Sequence, residues 1–160
     1  MFIILISINS CNNRRKNEIN TIFEKIKQVE ILAYLDRNLW DKEDNPNYFK
    51  LNFIEKNGKF EINRKYIKNK IILNKSQLTI FKENLSKCKT EDWSAACFDP
   101  RHLIIFYDQN DKIYGYIELC FDCNRSESSE NLQLISECAL GLEDTFKEFG
   151  ITYFGEEENN

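Results

Sequence analysis

Two apolar runs, Arg101 to Tyr107 (RHLIIFY) and Ile113 to Cys120 (IYGYIELC), flank the polar turn Asp108-Gln109-Asn110-Asp111. No other stretch constrains the fold as tightly. Aliphatic and aromatic residues bounded by turn formers read as the two strands of a hairpin, and a hairpin fixes which residues face each other. With the turn centred near Asn110, Cys120 falls opposite Pro100 and Cys123 opposite Cys97, to within a couple of residues. The open end of the hairpin therefore gathers Cys97, Cys120 and Cys123 beside Phe98-Asp99-Pro100-Arg101-His102.

Four chemistries suit such a cluster. The first is a structural disulfide, Cys97–Cys120 or Cys97–Cys123, since opposed strand ends meet the Cα spacing that a bridge requires. A bridge of that loop length contributes on the order of 3 kcal/mol in the chain-entropy treatment. The alternative is a zinc site with Cys97, His102, Cys120 and Cys123 as ligands, in which a Cys-x2-Cys knuckle and a remote Cys supply sulfur to a tetrahedral ion. Strong zinc signatures carry two such knuckles and this chain has one. The third is redox work by Cys120-Phe121-Asp122-Cys123, against which stands the position of Cys120 at a strand end rather than a helix N-terminus. The fourth, Cys97 as nucleophile with His102 as base, lacks any mark of an oxyanion hole. Cys138 reads as a packed core thiol and Cys88 as a loose thiol at a helix end.

Elsewhere the chain alternates helical and strand signals. From Asn17 to Gln28, Ile19, Ile22, Phe23 and Ile26 form a 3.6-residue stripe, and Val29 to Leu35 reads as a strand. Tyr48 to Glu55 and Phe60 to Asn63 flank Lys56-Asn57-Gly58-Lys59, where Asn-Gly suits a tight hairpin turn. Tyr66 to Leu73 is a further strand, and Ser76 a candidate N-cap for a helix over Gln77 to Lys87. Ser128 or Ser129 opens a last helix with Leu132, Ile135, Ala139, Leu142, Phe146 and Phe149 on one stripe. Gly150 stands where a left-handed cap closes it, with Ile151 as the following apolar contact. The order predicts a single α+β domain, an antiparallel sheet with helices packed on one face.

The N-terminus has its own signature. Met1 to Ile8 (MFIILISI) is apolar but too short to span a bilayer, and it matches the core of a secretory signal. Ile8-Asn9-Ser10-Cys11 resembles a bacterial lipobox, in which Cys11 is lipidated and becomes the mature N-terminus. No Lys or Arg precedes the apolar run and Asn9 is not the usual small residue; a start codon placed too late accounts for the first departure. The expected organisation is a signal-like segment 1–10, a lipobox Cys and short linker 11–16, the α+β domain 17–155, and a frayed acidic tail 156–160. Export places the remaining cysteines where disulfides persist; the alternative is a cytoplasmic protein whose first strand is apolar.

Composition narrows the function class. The formal net charge is −4, from 22 basic and 26 acidic residues that are well mixed, so the chain lacks the basic patch of a nucleic-acid protein. With five glycines in 160 residues it has no phosphate-cradling loop. Membrane contact is expected only through a lipid anchor on Cys11. Arg101 and His102, and Arg37 and Trp40 in the polar loop after the Val29 to Leu35 strand, are candidate ligand contacts. Ordinary ion pairing of Arg101 with Asp99 or Glu118 competes with that role.

The segments Cys97-Phe98-Asp99-Pro100-Arg101-His102-Leu103 and Tyr116-Ile117-Glu118-Leu119-Cys120-Phe121-Asp122-Cys123 resemble a group of small uncharacterised bacterial proteins, many of them predicted lipoproteins. The shared pattern is Cys-x2-Pro-Arg-His, a hairpin, then Ile-Glu-x-Cys-x2-Cys. It extends weakly to Tyr34-Leu35-Asp36-Arg37, Trp40-Asp41 and Phe149-Gly150-Ile151. The resemblance implies export and the cysteine hairpin and brings no activity with it. Taken together, the chain reads as an exported binding module for another protein, of periplasmic inhibitor or immunity type, without cofactor and not an enzyme. A zinc or thiol-redox protein is the alternative.

Overall fold

The computed structural model describes residues 7–41, 55–56, 59–60, 62–88 and 93–155. In chain order the elements are α1 (Ser7–Lys25), β1 (Ile26–Tyr34), β2 (Glu55–Lys56), β3 (Lys59–Phe60), β4 (Ile67–Ile72), α2 (Lys75–Lys87), β5 (His102–Asp108), β6 (Ile113–Cys120) and β7 (Arg125–Ser128). A helical run follows, in which α3 (Gln133–Ser136) and α4 (Glu143–Glu148) alternate with 3-10 turns at Glu130–Leu132 and Glu137–Leu142. The main sheet is antiparallel, in the order β4-β1-β5-β6-β7, and the predicted α+β architecture holds.

Alternation along the strands divides the core into two layers. Val29, Ile31 and Ala33 of β1, Ile104 and Phe106 of β5, and Ile117 and Leu119 of β6 face the helices. Leu32, Tyr34, Leu103 and Ile105 face the other way, onto Ile62 and Tyr66. The helical layer carries the stripes expected of it. Ile19 and Ile22 of α1 are buried, as are Phe81 and Leu85 of α2 and Leu132, Ile135, Ala139, Leu142 and Phe146 of the C-terminal run. Phe23 packs between helix and sheet, its ring 6.2 Å from both Phe81 and Phe106.

Helix ends differ in how far local chemistry reveals them. Gly150 adopts φ +95°, its N–H donates to Lys147 O and that of Ile151 to Phe146 O, both at 3.0 Å. This is the left-handed closure expected there, with buried Ile151 as its apolar contact. At α2 the cap is Asn74, not Ser76. Asn74 accepts from Gln77 N at 2.9 Å while Gln77 Oε1 accepts from Asn74 N at 3.1 Å. That reciprocal pair satisfies two amides at once and leaves Ser76 inside the first turn. Helix α1 covers the expected linker 11–16 and yields to β1 at Ile26, which already pairs with Asp108.

The edge strand β7 was not expected: Arg125 to Ser128 pairs with β6. Its Arg-Ser-Glu-Ser sequence lacks apolar alternation because it is a half-exposed edge. Of the two expected helix starts, Ser129 is the one that stands at the N-terminus of the helical run. At Gly115, in β6, a Cβ would stand 2.5 Å from Ser129 Oγ and 2.8 Å from Leu132 Cδ1, so the absent side chain lets the C-terminal run lie close. The pairing expected on either side of Asn57-Gly58 is present between β2 and β3, Glu55 to Phe60 and Lys56 to Lys59. The Asn57-Gly58 turn itself and the upstream part of the hairpin, together with segment 1–6 and the tail 156–160, lie outside the described residues. No described helix is long and apolar enough to cross a membrane.

A disulfide joins Cys88 to Cys138, with Cα atoms 4.4 Å apart. This corrects the expectation of two separate thiols. Cys88 ends α2 in the left-handed region, φ +31°, and the α2 end lies against the 3-10 turn that holds Cys138 in the core. The two cysteines are 50 residues apart, so no local pattern pairs them. Closing a loop of that length is worth about 4 kcal/mol in the chain-entropy treatment. A Cys88→Ala, Cys138→Ala double variant is expected to lose about that much unfolding free energy in urea titrations, against which an unchanged midpoint would count.

Candidate functional site

The β5–β6 register decides what meets at the open end of the hairpin. His102 pairs with Leu119 and Leu103 with Glu118, one residue from the expected alignment and within its tolerance. Beyond β6, Cys120 to Asn124 turns back so that Arg125 pairs with Cys120. This turn brings the Cα atoms of Cys120 and Cys123 to 5.2 Å, and those two cysteines form the bridge. Cys97 is a free thiol on the exposed side, its Sγ 3.7 Å from Cys123 Sγ. The three sulfurs therefore gather as predicted, but neither Cys97–Cys120 nor Cys97–Cys123 is the bridge. The tight turn into β7, which no sequence pattern announced, supplies Cys123 with a nearer partner.

Beside the sulfurs lies a charged network at the end of the sheet. Glu118 is fully buried, and its Oε1 accepts from both Tyr34 Oη and Arg37 Nη2. Its Oε2 has no hydrogen-bond partner among the described residues. Arg101 donates to Asp36 Oδ1 through Nε and to Asp122 Oδ2 through Nη1, with Asp99 3.9 Å from Nη2. Burial works against the Arg101 charge, yet its hydrogen bonds to Asp36 and Asp122 hold its pKa above the ordinary value. Burial and then the Asp36 charge raise the Asp99 carboxyl, and burial raises the Tyr34 phenol.

The candidate ligand contacts separate accordingly. Arg37 and Arg101 meet in this network, and their fork-like donors are engaged by carboxylates of the chain itself. Trp40 packs: its indole stacks on Tyr66 at 4.5 Å and its Nε1 donates to Leu35 O at 2.7 Å. His102 points to the helical face, away from Glu118 and its neighbours. Its ring lies among Phe121, Phe146 and Phe154, and Nε2 donates to Tyr153 O at 2.9 Å. Nδ1 is buried without a partner among the described residues. Protonation would place a donor there with nothing to accept it, and burial pushes the His102 pKa down to about 4. Among the described residues no group of three or more His, Cys, Asp or Glu side chains is disposed to hold a metal ion.

A cavity lies on the face opposite the helices, where no sequence pattern marks it. It has a volume of about 560 Å³. Leu32, Ile62, Ile67 and Ile105 supply apolar walls, with Arg64 and Lys70 among the charged groups around them. Lys70 is paired with Glu30 at 2.8 Å and Asp111 with Lys27 at 2.7 Å. The alternation of β4, Ile-Lys-Asn-Lys-Ile-Ile, hints at a half-covered strand but not at a hollow beside it.

Two measurements probe this site. Arg37→Met strands the Glu118 carboxylate in the core and is expected to cost about 3–5 kcal/mol. Replacing both residues by Met should cost less than the single change; a double variant that is less stable than Arg37→Met would contradict the pairing. His102 is the chain's one histidine, and its folded pKa lies below its unfolded value. Its contribution is intact above pH 6.5 and is lost as pH falls toward 4. The loss runs at roughly 1.4 kcal/mol per pH unit. Denaturant titrations at pH 7 and pH 5 should show this slope in the parent and a shallower one in His102→Phe, whereas equal slopes would refute it.

No family model, curated protein or solved structure matches this chain.

Proposed function

We propose that this chain is an exported, disulfide-stabilised binding module, lipid-anchored through Cys11, that receives part of a partner in the cavity opposite its helices. The observation that carries the binding role is the cavity itself. Its volume of about 560 Å³ falls in the range of ligand sites. The apolar floor favours an apolar group. Of the cations around it, Lys70 is neutralised by Glu30, while Arg64 has no ion-pair partner among the described residues. The fitting occupant therefore has an apolar body and an anionic end. A protein partner that presents an apolar side chain beside an acidic one has that chemistry, as an inhibitor- or immunity-type lipoprotein requires.

Export rests on a separate argument. Two disulfides, Cys88–Cys138 and Cys120–Cys123, suit an oxidising compartment such as the periplasm. The lipobox-like Ile8-Asn9-Ser10-Cys11 and the resemblance to predicted lipoproteins agree with it. The zinc alternative requires Cys120 and Cys123 reduced and His102 turned across the sheet from its Tyr153 contact. Thiol chemistry requires no such rearrangement, and the 3.7 Å approach of Cys97 to Cys123 favours it as the second reading.

Anilinonaphthalene sulfonate, an apolar ring system with one anionic group, is a direct probe of the cavity. Calorimetry on the folded domain is expected to give one saturable site, weakened by Arg64→Glu and abolished by Leu32→Trp. Heat that is absent, or indifferent to both substitutions, would refute the binding role. Intact mass of the membrane-derived protein tests export: an acylated chain beginning at Cys11 is expected, and retention of Met1 without acyl mass would refute it.

A further inference from the structure

Beyond binding, we propose that Cys97, Cys120 and Cys123 form a thiol–disulfide exchange site, through which a small thiol gains access to an otherwise buried bridge. Cys97 Sγ lies 3.7 Å from Cys123 Sγ, which is contact distance for two sulfurs. The approach is held in place by the backbone around it. Ala95 N donates to Cys123 O at 2.9 Å, Arg125 Nη1 donates to Ala96 O at 3.2 Å, and Asn124 Nδ2 donates to Trp93 O. Three contacts thus lace the segment that precedes β5 to the turn that carries the bridge.

The polarity of the bridge favours attack at Cys123. The Cys123 N–H donates to Cys120 Sγ at 3.2 Å, and a donor on the departing sulfur stabilises the thiolate that forms there. Disulfide exchange is faster when the leaving thiolate is better stabilised. Asp122, whose charge within Cys120-Phe121-Asp122-Cys123 would oppose a thiolate, is paired with Arg101.

In the exchange the Cys97 thiolate attacks Cys123 Sγ and a Cys97–Cys123 bond forms. The Cys120–Cys123 bond breaks, its electron pair stays on Cys120 Sγ, and the proton given up by the Cys97 thiol is taken up there through solvent. No oxidant or reductant is consumed. The consequence follows from burial. Cys120 and Cys123 are 2% and 3% exposed, whereas Cys97 is open to solvent. One isomer displays a thiol and hides its bridge; the other displays the bridge and hides a thiol. An external thiol attacks the displayed bridge at Cys97, leaving a mixed disulfide on Cys97 and thiols on Cys120 and Cys123. A second external thiol releases Cys97 as a thiol and departs as a symmetric disulfide.

The test uses the full chain, folded at pH 8, quenched in acid, labelled with N-ethylmaleimide in denaturant and mapped by non-reducing peptide mass spectrometry. The expected result is two populations: label on Cys97 with a Cys120–Cys123 bridge, and label on Cys120 with a Cys97–Cys123 bridge. Label confined to Cys97 would overturn the exchange. Cys97→Ser provides the second arm, read as the rate at which reduced glutathione opens the cluster bridge. That rate is expected to fall relative to the parent while reduction of Cys88–Cys138 is unchanged, and equal rates would overturn the role of Cys97 as entry point.

Discussion

The pairing of β5 with β6 is the constraint on which the rest depends. Its register sets His102 against Leu119 and Leu103 against Glu118, and the strand alternation then assigns every neighbouring side chain to a face. His102 and Leu119 go to the helices, Glu118 and Cys120 to the opposite side. A slip of β6 by one residue would turn Glu118 into the helix-facing layer and carry Leu119 out of it. The hairpin also fixes where β6 ends, and so where the Cys120 to Asn124 turn presents its sulfurs to the segment that leads into β5.

Polar groups gather where the sheet loses its apolar alternation. Arg37 and Glu118 are both buried, so their attraction is set against the desolvation of two charges. Tyr34, Arg37 and Glu118 meet where the 3-10 turn at Arg37–Leu39 docks on β6. Arg101 performs the same service on the surface side, drawing Asp36, Asp99 and Asp122 to one point. Arg37 ties the loop after β1 to β6, and Arg101 ties that loop and the turn after β6 to the entry of β5. The cysteine cluster therefore sits on a braced platform, while the cavity lies farther along the same face.

Much of this was legible from local pattern. The β5–β6 hairpin announces itself through two apolar runs around a polar turn, and the turn position gives the register to within one residue. Gly150 and Ile151 mark a helix end because only a glycine takes the left-handed cap without strain. The α1 and C-terminal stripes read directly as buried faces. Other features carry no local signal. The edge strand β7 is polar because solvent covers its side, so nothing distinguishes it from a loop. Cys88–Cys138 joins elements that meet only after the sheet is assembled. Cys120–Cys123 depends on a turn whose tightness is set by β7. The role of Glu118 was half visible, as a carboxylate inside an apolar strand, but its partner Arg37 comes from a different loop than the expected Arg101. The cavity belongs to no single element and left no trace in the sequence.

The central claim, that the hairpin end gathers these particular sulfurs, is tested most directly by mapping the disulfides of the folded chain under non-reducing conditions. The account predicts Cys88 joined to Cys138, and a second bridge confined to Cys97, Cys120 and Cys123 with one thiol left among them. A bridge from any member of that trio to Cys88 or Cys138 would contradict the register from which the site was built.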